Sequence, residues 1–122
     1  MILAQATAKT PEIFLDESAS LIKISGRAYP EDLHGFWDEP VQRIENWVAS
    51  QSRTTFHFDL NYHNSGSTRI LINLIKFCEK QLLQGREIEM CWFYDEEDEQ
   101  TAEQGEDYQD ICSNLSFTLA QK

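Results

Sequence analysis

Residues 62 to 69 combine polar side chains that could bind or carry an anion. The run reads Tyr-His-Asn-Ser-Gly-Ser-Thr-Arg, and its last five positions contain three hydroxyl groups, a glycine and an arginine. The run follows an alternating segment typical of a strand and precedes a segment with helical spacing, so it is predicted to be a strand-to-helix turn. The first turn of a helix exposes unpaired N–H groups and a partial positive charge, which favour a phosphate or another anion.

Within this turn, Ser65 is a candidate to carry a phosphate. Asn64 and Ser65 are both favoured at a helix N-cap, and Arg69 lies one helical turn beyond Ser65, where its guanidinium could pair with the phosphate. Plain helix capping also accounts for these residues, and the local sequence alone favours that interpretation. A third possibility is that the helix N-terminus senses a small anion without covalent modification.

A small hydrolase is the enzymatic alternative. A serine nucleophile would need a base, and the candidates are His34, His57 and His63. No G-x-S-x-G elbow is present, however, which disfavours this class. No cofactor or metal site is expected, because the acidic stretch that begins at Asp95 lacks the spaced pattern of a calcium-binding loop.

That acidic stretch holds nine carboxylates between residues 95 and 110, with no Lys or Arg among them. It is interpreted as the solvated start of a helix, where acids complement the helix dipole, or as a surface for a basic partner. The whole chain has a net charge of -11, which disfavours binding to nucleic acid.

A length of 122 residues favours one domain spanning residues 1–122, and a hydrophobic content of 41% is enough to form its core. The three cysteines fit neither a disulfide framework nor a zinc site, so they are expected to be reduced and semi-buried. No apolar run approaches the roughly 20 residues that a transmembrane helix needs. No membrane insertion is therefore expected, and the absence of a signal peptide predicts a cytoplasmic location.

The elements that must position the turn alternate along the chain. Strands are predicted over 11–16, 20–28, 54–62, 87–94 and 115–119. Helices are predicted over 33–48, broken at Pro40, then from Ser65 to a stop at Gly85, and over 96–112. In the central strand, one face is expected to carry four hydrophobic side chains, namely Phe56, Phe58, Leu60 and Tyr62. The order β-β-α-β-α-β-α-β predicts an α/β domain whose mixed β-sheet has helices packed against it.

Three blocks of the chain also resemble the SiaC family of bacterial regulatory phosphoproteins. They are Gly26-Arg-Ala-Tyr-Pro-Glu31, then Phe58 to Arg69, and Trp92-Phe-Tyr-Asp-Glu-Glu-Asp98 followed by Gly105-Glu-Asp107. The blocks occur in the family's order and cover nearly the whole chain. This resemblance implies a single STAS-like domain, similar to the anti-sigma-factor antagonists.

The resemblance further implies a non-catalytic phosphorylation switch. A Ser/Thr protein kinase of the SiaB type would modify the turn, and a PP2C-type phosphatase would reverse the modification. The unmodified protein would bind an effector such as a GGDEF diguanylate cyclase, and so control cyclic di-GMP signalling and biofilm formation. Carried over by position, the modified residue is Ser65, and the turn that binds the partner consists of Asn64, Gly66, Ser67, Thr68 and Arg69.

At three positions this chain differs from the usual family turn. Ser65 stands in place of a threonine and keeps a hydroxyl that a kinase could modify. Gly66 stands in place of a serine, and His63 in place of an apolar residue.

Overall fold

The computed structural model describes residues 1–122 and contains six strands and three helices. The strands are β1 (Ile2–Ala4), β2 (Glu12–Asp16), β3 (Leu21–Ala28), β4 (Arg53–His63), β5 (Glu87–Tyr94) and β6 (Ser116–Gln121). The helices are α1 (Leu33–Ser50), α2 (Ser65–Leu83) and α3 (Glu99–Ile111). The predicted mixed sheet with packed helices is confirmed, and β1 is an additional strand that the sequence interpretation missed.

The six strands form one sheet in the order in which they occur along the chain. β1, β2 and β3 pair antiparallel, whereas β3, β4, β5 and β6 pair parallel and are joined through α1, α2 and α3. Right-handed crossovers between sequential neighbours place all three helices on one face of the sheet. The core lies on that face, where Ile24, Phe58 and Trp92 are register partners and are all buried.

Helix α1 runs through Pro40 without a break, so the prediction of a broken helix is wrong. Proline has no N–H to donate to the carbonyl four residues earlier, which weakens the helix at this point. Pro40 is nevertheless buried, on the same stripe as Trp37, Ile44 and Val48. Because these four side chains pack together only if the helix continues, their burial offsets the lost hydrogen bond.

Helix α3 begins at Glu99, three residues later than predicted, and ends at Ile111. Gly105 in its middle is required for close packing rather than for flexibility. A Cβ at this position would collide with the Trp92 ring and with a methyl group of Leu119. The absence of a side chain therefore lets α3 lie directly against β5 and β6.

The three cysteines are free, as expected, with Cys78 buried and both Cys91 and Cys112 half-buried. None of the three helices is both long and apolar enough to cross a membrane.

Candidate functional site

The predicted turn lies at the carboxyl end of β4, where the strand passes directly into α2. Asn64 is the N-cap of α2, and its side-chain oxygen accepts a hydrogen bond from the Ser67 N–H at 2.9 Å. The Asn64 N–H donates to the Ala28 carbonyl at the end of β3, at 3.0 Å. The capping prediction is therefore confirmed, and the cap is fixed to the neighbouring strand as well as to its own helix.

The three hydroxyl groups of the turn lie in different surroundings. Ser65 is exposed, and its hydroxyl makes no hydrogen bond within the chain. Ser67 is fully buried, and its oxygen accepts a hydrogen bond from Trp37 Nε1 at 3.0 Å. Thr68 is half-buried and donates to the Asn64 carbonyl at 3.2 Å. Only Ser65 presents a free hydroxyl to solvent.

Two further residues of the turn complete its outer surface. Gly66 lies against α1, since a Cβ there would lie 3.1 to 3.2 Å from the methyl groups of Leu33. Arg69 is exposed, and its guanidinium forms no ion pair within the chain. It follows Ser65 by four residues, so both lie on one face of α2. The first turn of α2 contains no acidic residue that would oppose an anion.

Beneath the turn, His63 is buried at 3% exposure and shares a hydrogen bond of 2.7 Å with the Tyr108 hydroxyl. Burial lowers the pKa of His63 to about 4, so the ring is neutral at physiological pH. Burial also raises the pKa of Tyr108 to about 12, although the Thr68 hydroxyl acts in the opposite direction and lowers it. This neutral polar pair connects the base of the turn to α3.

Tyr62 does not join the core, which corrects the predicted face of the central strand. Gly26 pairs with Leu60, but the next residue of β3 pairs with Tyr62, so Asn61 is an extra residue in β4. Such a bulge reverses which side chains face the core beyond it. Tyr62 is consequently 47% exposed, and His63 takes the buried position.

The sequence interpretation missed Trp37 and Tyr108 as partners of the turn. A signal for the first was present, because Ser67 falls on the same helical stripe as Leu71, Leu74 and Cys78 and is thus expected to be buried. A buried tryptophan usually finds an acceptor for its N–H, and α1 supplies that tryptophan. Nothing local indicates Tyr108, which lies 45 residues from His63.

The acidic stretch begins as a helix cap, as one of its two interpretations predicted. Asp98 accepts hydrogen bonds from the Thr101 N–H at 3.0 Å and from the Thr101 hydroxyl at 2.7 Å. These bonds lower the pKa of the Asp98 carboxyl. Because parallel strands end at the same edge of a sheet, this acidic loop and the Ser65 turn lie along one edge of the domain.

Comparison with known proteins gives results that agree with this geometry. The family model described as "SiaC family regulatory phosphoprotein" matches residues 4–122. A curated relative, an uncharacterized protein of Pseudomonas aeruginosa, is 28% identical over 109 residues, which cover 88% of this chain and 86% of the relative.

Solved structures of Pseudomonas aeruginosa proteins share the fold. The structure of SiaC has a TM-score of 0.88 at 23% identity, covering 100% of this chain and 99% of that chain. The crystal structure of the diguanylate cyclase SiaD in complex with its activator SiaC gives a TM-score of 0.85 at 24% identity, covering 94% of this chain and 96% of that chain.

Proposed function

Because this chain belongs to the SiaC family of regulatory phosphoproteins, we propose that it is a non-catalytic cytoplasmic switch whose Ser65 is reversibly phosphorylated. In its unmodified form the protein binds and activates a GGDEF diguanylate cyclase, and so raises cyclic di-GMP and promotes biofilm formation. A SiaB-type Ser/Thr kinase adds the phosphate, and a PP2C-type phosphatase removes it.

The accessibility of Ser65 carries this proposal. A kinase must bring the hydroxyl to the γ-phosphate of ATP, which requires an exposed oxygen. Ser67 is fully buried and bonded to Trp37, and the Thr68 hydroxyl is bonded to the backbone of the cap. Ser65 is the one hydroxyl of the turn that a kinase reaches without unfolding α2.

The local electrostatics favour a phosphate on Ser65 within the domain. A phosphoserine carries a charge of about -1.5 to -2 at neutral pH, and a helix N-terminus attracts negative charge. Arg69, one turn later and without an acidic partner, supplies a cation for the phosphate oxygens. The modified protein thus stays folded, while a partner surface that fits a neutral serine meets a bulky, strongly hydrated dianion.

The partner assignment is supported by the related complex, in which SiaC is the activator of the diguanylate cyclase SiaD. A hydrolase is disfavoured because no histidine hydrogen-bonds to a serine. His63 is paired with Tyr108, His34 is paired with Asp38, and His57 packs against Phe93. None of the three histidines is therefore placed as a general base for Ser65.

Binding to the diguanylate cyclase encoded in the same genome, measured by calorimetry, tests the proposal. Ser65→Ala should bind within about threefold of wild type, and Ser65→Asp should bind at least about tenfold more weakly, a loss of about 1.4 kcal/mol. Ser52→Asp is the matched control, since Ser52 is exposed and precedes β4 at the opposite end of the strand. Equal affinity of the two Ser65 variants would contradict the switch.

Intact-mass spectrometry of the protein from its native cells provides a second test. A phosphate adduct that maps to Ser65 and disappears in Ser65→Ala is the expected result. A protein that is never modified in those cells, yet binds inorganic phosphate at the start of α2, would favour the anion-sensing alternative instead.

A further inference from the structure

An aromatic pair lies next to the turn: Tyr29 is half-buried, and Tyr62 is exposed although the strand pattern predicts it in the core. The extra residue Asn61 turns Tyr62 outward, and its ring meets that of Tyr29 edge-on, with centroids 5.3 Å apart. Opposite the bulge, Gly26 has a φ of +109°, a conformation that residues with a Cβ rarely adopt. The backbone at the ends of both strands is thus shaped in a way that keeps Tyr62 at the surface.

The two tyrosines line a small pocket together with Arg27 and Asn61. Arg27 is exposed and is the register partner of Tyr62, so both side chains lie on the same side of the sheet. Arg27 forms no ion pair within the chain. The only charged group that lines this pocket is therefore a cation, although the protein as a whole carries a net charge of -11.

This pocket lies at the same edge of the sheet as the turn that carries Ser65, because β3 and β4 are parallel and both end there. The Asn64 N–H is bonded to the Ala28 carbonyl, directly before Tyr29. Tyr62 precedes Ser65 by three residues in the same chain segment. A protein that contacts Ser65 from the carboxyl edge of the sheet therefore meets these two tyrosines as well.

We propose that Arg27, Tyr29 and Tyr62 form a docking pocket for the effector that binds the Ser65 turn, and that the pocket takes an apolar side chain lying next to a carboxylate of that effector. Tyrosine and arginine are enriched among the residues that contribute most to protein interfaces. An unpaired guanidinium prefers a carboxylate, with which it forms two parallel hydrogen bonds. The tyrosine rings supply the apolar wall.

The inference rests on the proposed function, because it places the same effector on a second, adjoining surface. The two surfaces act differently: the charge of the turn changes when Ser65 is modified, whereas the charge of the pocket does not. The pocket supplies affinity and orientation, and the turn decides whether the complex forms.

Calorimetric titration of the diguanylate cyclase from the same genome tests the pocket, with thermal unfolding of each variant as the check on folding. Tyr62→Ser and Arg27→Glu should each weaken binding by at least about tenfold, as expected for central interface residues. Arg27→Ala should weaken binding and reduce its dependence on salt, because an ion pair is lost. Leu83→Ser is the control that should bind as wild type, since Leu83 is 75% exposed at the far end of α2.

The possible failures are distinguishable. Wild-type protein that does not bind the cyclase would overturn the proposed function and the pocket together. Wild-type binding that is sensitive to Ser65→Asp, but unchanged in Tyr62→Ser and Arg27→Glu, would overturn the pocket alone. Tighter binding of Arg27→Glu would show that the occupant is cationic and would also overturn the inference. If Tyr62→Ser proves unstable, Arg27→Glu alone decides the outcome.

Discussion

The burial of His63 makes a quantitative prediction about stability below neutral pH. The ring is 3% exposed, one nitrogen is bonded to Tyr108, and the other, Nδ1, has no partner. A proton added to this ring would be buried without a compensating negative charge. Replacing His63 with phenylalanine removes the titrating group and retains a ring of similar size.

The expected magnitude follows from the two pKa values of His63. The pKa is about 4 in the folded protein, against an ordinary value of 6.5. Between these values the unfolded chain binds a proton that the folded protein does not, so stability falls as the pH falls. From pH 7 to pH 5, the free energy of unfolding should decrease by about 2 kcal/mol on account of His63. Above pH 7 this contribution to the pH dependence disappears.

Urea denaturation at several pH values between 7 and 5 measures the effect. Asp98, whose pKa is lowered from the ordinary 3.8, affects stability only below this pH range, because its carboxyl stays ionised in the folded and the unfolded protein down to pH 5. The free energy of unfolding is plotted against pH for wild type and for His63→Phe. The difference between the two slopes isolates the contribution of His63, whatever the absolute stability of the variant. His34→Gln, which changes an exposed histidine, is the control and should change the slope much less than His63→Phe does. An unchanged slope in His63→Phe would refute the assignment of a neutral, buried imidazole.

Two further substitutions probe the packing around the site. Ser67→Ala leaves the buried N–H of Trp37 without an acceptor, so it should lower the free energy of unfolding, measured by urea denaturation, by about 1–3 kcal/mol. Ser65→Ala, at an exposed position, should stay within about 0.5 kcal/mol of wild type. Equal effects would contradict the different burial of the two serines. Gly105→Ala should lower the free energy of unfolding by at least about 1–3 kcal/mol, because its methyl group would collide with Trp92. Wild-type thermal stability in that variant would count against the close packing of α3 on β5.

Local sequence signals were sufficient to predict the position of the turn. Helical spacing is predicted from Ser65, and the structure starts α2 at this residue, with Asn64 as the N-cap. Gly85 ends the same helix with a φ of +96°. Caps and periodicity are set by residues within one or two turns of each other, and a sequence window of that length contains them.

The errors arose where distant residues determine the local structure. Pro40 is tolerated because of a buried stripe that exists only once α1 packs on the sheet. The outward position of Tyr62 depends on a bulge against β3, and the inward position of His63 depends on Tyr108 in α3. The alternation within β4 contains no information about β3 or about Tyr108. A prediction from alternation alone therefore places one side chain too many, that of Tyr62, on the core face.

The attachments of the turn limit how a modification at Ser65 can act. Hydrogen bonds join the turn to β3 through the Ala28 carbonyl and to α1 through Trp37 and Ser67. The adjoining His63 is hydrogen-bonded to Tyr108 of α3. A rearrangement of the turn would leave several of these buried groups unpaired, at about 1–3 kcal/mol each. A phosphate on Ser65 adds charge outside this network and breaks none of its bonds. The proposed switch therefore acts through the charge and bulk that the partner meets, on a backbone that keeps one conformation in both states.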